Sequence, residues 1–186
     1  MPRITEVTII HGYGVTPEKM WFPWIRSELE NRGVVVKIPR LPNPFNPNFQ
    51  KWMSVLTPIA RTWTPQTLVI AHSLGGALAV RLLEKVARKR VAGVILVAPL
   101  FSSTFIVDPL VQFFARPIDW SSVRASSKNF HIIQAKDDPL VPCDHAFRYT
   151  EMLDAKLTLL KTGGHLTKKT CPPLLKIIES FSRSQG

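Results

Sequence analysis

Six short runs of Val, Ile and Leu punctuate the chain. Between them, apolar residues recur every three or four positions. The runs are Ile4–Ile10, Val34–Ile38, Leu68–Ala71, Gly93–Val97, Phe130–Ala135 and Lys156–Leu160. They show little sign of a wet face, the pattern of strands buried on both sides of a parallel sheet. The intervening stretches read as helices: Pro23–Asn31, Phe49–Ala60, Leu74–Arg90, Asp144–Leu153 and Pro173–Phe181. In the first, Trp24, Ile25 and Leu29 share a side, and Gly33 supplies a C-terminal stop. In the second, Phe49, Trp52, Met53 and Leu56 fall at helical spacing. Strand and helix in alternation predict right-handed crossovers and a parallel sheet covered on both faces.

Two segments break the alternation. Pro39–Pro47 holds four prolines in nine residues and must be an extended loop. Residues 99–128 separate two predicted strands and carry an apolar patch, Phe105–Phe114, that has helical character. Ligands in open α/β sheets bind beyond the carboxyl ends of strands, and this segment leaves such an end. It is expected to act as a lid or pocket wall, as a crossover helix packed on the sheet, or as both.

The chain has 186 residues, 45% hydrophobic and 20% charged. That suits one domain over residues 1–186 and excludes a largely disordered chain. No apolar run approaches the roughly 18–20 residues of a membrane span. Glu6 interrupts the first apolar run, so no signal peptide is expected. Cys143 and Cys171 form no zinc or disulfide pattern, and a cytoplasmic location is the simplest expectation. The formal charge is +11. The excess gathers at Arg81, Lys85, Arg88, Lys89 and Arg90, and at Lys161, Lys168, Lys169, Lys176 and Arg183. A solvated basic face is the reading preferred, with an anionic partner as the alternative. Nucleic acid is not expected, because no zinc-finger spacing or aromatic-rich RNA-binding signature is present.

The strongest local signal is Ala71-His-Ser-Leu-Gly-Gly76, set where a predicted strand meets a predicted helix. A serine on such a turn is strained and exposed above the sheet. Small residues are needed two before and two after it, usually as Gly-x-Ser-x-Gly. Ala71 replaces the first glycine and is still small. A serine hydroxyl needs a base, usually histidine oriented by a carboxylate. Asp137-Asp-Pro follows the strand Phe130–Ala135, and Gly163-Gly-His165 follows Lys156–Leu160. The chain order Ser73, Asp138, His165 is that of α/β-hydrolases. Oxyanion donors are expected at the N–H of Leu74, which opens the helix, and of Tyr13 in His11-Gly-Tyr-Gly14.

These pieces resemble the small serine hydrolase family related to retinoblastoma-binding protein nine and the bacterial YdeN-type proteins. The resemblance runs nearly end to end. It rests on His11-Gly-Tyr-Gly14, on Trp21-Phe-Pro-Trp24 with Leu29 and Gly33, and on Pro39-x-Leu-Pro-x-Pro44 with Trp52. It continues through Ala71-His-Ser-Leu-Gly75, Asp138-Pro and Gly164-His165. It implies a compact α/β-hydrolase fold without the first two strands of full-size relatives. About six mostly parallel strands are expected, in the order 2-1-3-4-5-6. It also implies esterase-type activity with Ser73 as nucleophile, Asp138 as acid and His165 as base. Asp138 directly precedes proline, as the family's acid does, which leaves Asp137 as a solvated loop acid.

The expected substrate is a small-molecule ester, thioester or amide, with no cofactor and no metal. Trp21, Phe22, Phe101, Phe105, Phe113 and Phe114 are candidates for an apolar acyl pocket, although core packing is the commoner fate of such residues. His72 is expected to pack beside the elbow and His11 to brace the oxyanion loop. His131 and His145 are expected to be structural or solvated. The alternative to an enzyme is a protein-binding module on a hydrolase scaffold.

Overall fold

The computed structural model describes residues 3–86, 90–102 and 108–183. Six strands form a sheet: β1 (Glu6–Ile10), β2 (Val35–Lys37), β3 (Thr67–His72), β4 (Gly93–Val97), β5 (Phe130–Ala135) and β6 (Lys156–Leu160). Their order is β2-β1-β3-β4-β5-β6, and all five pairings are parallel. Ile10 lies opposite Ala71, and Ala71 opposite Leu96. Ala135 lies opposite Leu160. This register brings the loops after β1, β3, β5 and β6 out along one edge.

Side chains alternate across the sheet, and both faces are covered. In β3, Val69 and Ala71 enter one core while Leu68 and Ile70 enter the other. That is why the central strands read as unbroken apolar runs. Every residue of β3 and β4 is buried, whereas the edge strands β2 and β6 keep exposed positions. An edge strand has a neighbour on one side only, so its side chains meet water.

The helices are α1 (Phe22–Glu30), α2 (Phe49–Arg61), α3 (Leu74–Lys85), α4 (Trp120–Ala125), α5 (Cys143–Leu153) and α6 (Pro172–Arg183). Trp52, Leu56, Leu78, Leu82 and Tyr149 build the core beneath α2, α3 and α5. Phe22, Ile25, Leu29, Leu174 and Ile178 build the core beneath α1 and α6. Ten residues of α3, from Leu74 to Leu83, are buried, so this helix is central.

Several expectations need correcting. Helix α3 ends at Lys85 and not at Arg90; Arg88 and Lys89 lie outside the described residues. The helical character expected over Phe105–Phe114 is a 3-10 turn at Asp108–Phe113, with Phe105 outside the described residues. The apolar spacing predicts no helix at α4. The helix is too short for a clear period, and its signal was the cap: the Asp119 carboxylate accepts from the N–H groups of Ser121 and Ser122. Arg81 does not belong to a solvated face. Its side chain is 7% exposed and donates to Glu84 and to the carbonyls of Arg116 and Pro117, which pins the chain before α4 onto α3.

Gly75 lets α3 approach β1. A Cβ there would lie 2.4 Å from the Ile10 carbonyl oxygen and 2.9 Å from that of His11. Backbone must move to admit it, and overpacking of this kind costs about 1–3 kcal/mol. That exceeds the gain of up to about 1 kcal/mol from alanine's helix propensity. Gly75→Ala is therefore expected to lower the melting temperature clearly. Gly76→Ala, whose added carbon meets the Pro99 side chain at 3.0 Å, should cost less. Equal melting temperatures for Gly75→Ala and the unsubstituted protein would contradict this account of the approach.

Candidate active site

Ser73 joins β3 to α3 at φ 54° and ψ −122°. An L-residue there is strained by roughly 1–3 kcal/mol, and only surrounding contacts hold it. Three backbone bonds do so. Ser73 N–H donates to Val97 O at 2.9 Å, and Ser73 O accepts from Gly76 N–H at 2.9 Å and from Leu100 N–H at 3.2 Å. Ser73 is half-buried. Ala71 is wholly buried, its methyl a part of the α2–α3 core, so alanine fits where glycine is usual.

The loop after β1 lies against this turn. A Cβ on Gly12 would come within 3.0 Å of Ser73 Cβ and 3.1 Å of Leu74 N, so only glycine permits the approach. His11 braces the loop from below. Its Nδ1–H donates to Gly12 O at 3.0 Å, and its Nε2 accepts from Leu41 N–H at 3.2 Å. Burial, the largest influence, lowers the His11 pKa and keeps the ring neutral, as that pair of bonds requires. Among the described residues, neither the Leu74 nor the Tyr13 N–H has a hydrogen-bond acceptor.

Beyond β5, the Asp138 carboxylate is almost wholly enclosed, 1% exposed. Oδ1 accepts from Leu140 N–H at 2.9 Å and Val141 N–H at 3.0 Å. Oδ2 accepts from Gln134 Nε2 at 3.1 Å and from His165 Nδ1 at 2.8 Å. Burial, the largest single effect, would raise the Asp138 pKa. The bonds from His165, Val141 and Leu140 outweigh it and hold the carboxyl below its ordinary value. Because Nδ1 of His165 carries the donated proton, its lone pair sits on Nε2. Among the described residues, Ser73 Oγ and His165 make no hydrogen bond with each other.

His165 sits in a turn held at four points. Asp138 takes its ring. Asp137 Oδ1 accepts from Gly164 N–H at 2.9 Å. His72 Nε2–H donates to His165 O at 2.9 Å. Trp21 Nε1–H donates to Leu166 O at 2.9 Å. The two histidine rings meet edge to face, centroids 4.8 Å apart. Asp137, expected to be merely solvated, is exposed but holds Gly164, and that bond lowers its pKa. His72 is buried among Trp21, Phe22 and His165. Burial first, and His165 second, bring its pKa down to about 3.

Among the described residues, the aromatic candidates for a pocket wall do not gather at Ser73, and Phe105 lies outside them. Trp21 and Phe22 are wholly buried in the core under α1. Phe113 is 2% exposed and packs on Phe49 and Trp52, beside a cavity of about 530 Å³ between α2 and α3. Phe101 and Phe114 border a hollow of about 270 Å³ with Ile118 and Trp120. Neither space is lined by Ser73, Asp138 or His165. Phe101 instead stacks on Trp120 and meets Tyr149 edge-on. Two other histidines are structural: His131 bonds Thr158 Oγ1 at 2.8 Å, and His145 Nδ1 accepts from Phe101 N–H at 2.9 Å. Gln134 joins the site without being among the residues the sequence predicts for it. It is fully buried, and its Nε2 lies within 3.2 Å of Asp138 Oδ2 and the carbonyls of Ala135 and Val141. Its signal was an amide inside an otherwise apolar strand.

A family model described as serine hydrolase matches residues 7–171. The chain belongs to the serine hydrolase family. It is 34% identical over 161 residues to YdeN of Bacillus subtilis (strain 168), covering 86% of this chain and 85% of that one. The crystal structure of that gene product superposes with a TM-score of 0.91 at 30% identity, covering 95% of this chain and 98% of the other. The serine hydrolase RBBP9 of Rattus norvegicus is 26% identical over 187 residues, covering 97% of each chain. Polyneuridine aldehyde esterase, at 12% identity and a TM-score of 0.76, covers 97% of this chain and 100% of its own, and shares the fold alone. The fold is thus that of the α/β-hydrolases, and the family is one of hydrolases. No helix among the described residues is long and apolar enough to cross a membrane.

The buried neutral His72 has a consequence for acid stability. Its folded pKa of about 3 lies below the unfolded value of about 6.5, so between the two the unfolded chain binds the extra proton. Its contribution is complete above about pH 6.5 and is lost as pH falls toward 3, with a slope approaching about 1.4 kcal/mol per pH unit. Urea denaturation at pH 7, 6 and 5 should show stability falling with acid. His72→Gln should remove about one proton's worth of that slope. Identical slopes for the two proteins would rule out His72 as the source.

Proposed function

We propose that this hydrolase is an esterase-type enzyme that cleaves small-molecule esters, thioesters or amides through an acyl-enzyme on Ser73. The observation that carries the reading is the 2.8 Å Asp138–His165 bond beside a strained Ser73 that faces the oxyanion loop. Asp138 stays ionised and fixes the His165 tautomer, which leaves Nε2 to take the Ser73 Oγ proton. Oγ then attacks the substrate carbonyl carbon. Negative charge develops on the carbonyl oxygen, toward the Leu74 and Tyr13 N–H groups, and such donors are worth about 10²–10³ in rate. The bond to the leaving group breaks as His165 returns the proton to it. Water enters by the same route and releases the acid. A hydrogen bond between serine and base is one that commonly forms or tightens only with substrate bound.

A binding scaffold has no need of a strained serine or an enclosed carboxylate bonded to a histidine ring, so both features favour catalysis over the protein-binding alternative. The two cores share one sheet, which supports reading the chain as one domain. The free thiols of Cys143 and Cys171 suit a reducing compartment such as the cytoplasm. Among the described residues, no site geometry favours an anionic partner for the +11 charge.

A fluorophosphonate probe should modify Ser73 alone, and Ser73→Ala should abolish labelling and ester turnover, a loss of up to roughly 10⁶-fold. Asp138→Asn should lose roughly 10⁴-fold in kcat, because the histidine tautomer is no longer set. Asp137→Asn keeps an acceptor for Gly164 N–H and should lose far less. Labelling at another serine, or the two aspartate losses reversed, would contradict these assignments.

A further inference from the structure

Two exposed aromatic rings meet on the loops that follow β1 and β2, the first of which touches the Ser73 elbow through Gly12. Tyr13 is 41% exposed and Phe45 is 70% exposed. Their rings meet edge to face with centroids 6.5 Å apart. A lone exposed aromatic residue is ordinary, but here two from different loops pair at one place. Tyr13 follows Gly12, which touches the elbow at Ser73 and Leu74. Phe45 comes from the proline-rich loop and covers Gly14, where a Cβ would lie 3.5 Å from the ring.

Both loops are fixed. Gly14 N–H donates to Pro44 O at 2.8 Å, and Leu41 N–H to His11 Nε2 at 3.2 Å. Trp52 Nε1–H donates to Pro42 O at 2.7 Å. The four prolines restrict φ along the same loop. The rings are thus presented by a rigid frame, which lowers the entropy lost when a ligand settles on them. Arg40 is the one charged residue in Pro39–Pro47, and it is paired with Glu18.

Position then separates the two halves of a substrate. His165 reaches the elbow from the α1 side, through His72 and Trp21. In the mechanism proposed above, on which this inference rests, His165 protonates the leaving group, so that group lies on its side. The rings stand on the other side, over the loop braced by Trp52 of α2. We propose that the Tyr13–Phe45 pair is the acyl subsite and selects a neutral aromatic or flat apolar acyl group over acetyl.

The test keeps the leaving group constant. The ratio of kcat/KM for p-nitrophenyl phenylacetate over p-nitrophenyl acetate, each corrected for its hydroxide-catalysed rate, is measured in the unsubstituted enzyme, Phe45→Ala and Phe45→Trp. The unsubstituted enzyme should favour phenylacetate. Phe45→Ala should reduce the ratio about two- to tenfold, the scale of one aromatic contact. Phe45→Trp should restore it. Melting curves report folding, which a ring this exposed should barely affect. An unchanged ratio in Phe45→Ala overturns the proposal. So does a change confined to the leaving-group ratio, 2-phenylethyl acetate over ethyl acetate. If fluorophosphonate does not label Ser73 at all, the acyl-enzyme reading itself fails and this proposal falls with it. Labelling with an unmoved acyl ratio sinks the subsite alone.

Discussion

One hydrogen bond ties together loops that the sheet keeps apart. His165 follows β6, an edge strand, while Ser73 follows β3, with β4 and β5 between them. The bond from His72 Nε2–H to the His165 carbonyl bridges that gap at 2.9 Å. His72 is the residue immediately before Ser73, so the same few atoms set the elbow and the histidine turn. A bond of this kind contributes only about 0.5–1.5 kcal/mol net. The His72 ring is buried, however, and leaving its N–H unpaired would cost about 1–3 kcal/mol. The ring stays neutral because burial drives its pKa to about 3, so the donor does not change through the neutral range.

The remaining contacts complete a frame around that bond. Trp21 holds the turn one residue beyond His165, Asp137 one residue before it, and Asp138 its ring. Asp138 is fixed in turn by two backbone N–H groups and by Gln134. Each link has its own anchor in strand or helix. The strain at Ser73 persists because Val97, Leu100 and Gly76 each bond its backbone. Gly12 and Gly75 admit the approach of β1 and its loop, and any side chain there would force backbone apart.

Much of this was legible along the chain, for identifiable reasons. Strands β4, β5 and β6 match their apolar runs to the residue, because parallel strands select Val, Ile and Leu. The elbow was legible because its steric demands fall within six consecutive residues. Asp138 and His165 were legible because each closely follows a strand on the same sheet edge. The long-range anchors were not. Trp21 and Leu166 are 145 positions apart, and no local pattern marks their bond. Along the chain Trp21 and Phe22 suit a pocket wall or the core equally, because size and apolarity do not distinguish the two. Nothing in the sequence marks Phe45, because a phenylalanine among prolines resembles ordinary loop filler and only the fold shows its exposure.

The central claim is that Asp138 holds His165 as the Nδ1–H tautomer inside this frame. Proton–nitrogen correlation NMR of histidine-labelled protein at neutral to slightly alkaline pH tests it directly. The account predicts a His165 proton on Nδ1, far downfield of the amide envelope, that survives Ser73→Ala and disappears in Asp138→Asn. A His165 ring protonated on Nε2 alone, or a downfield proton that survives Asp138→Asn, would contradict it.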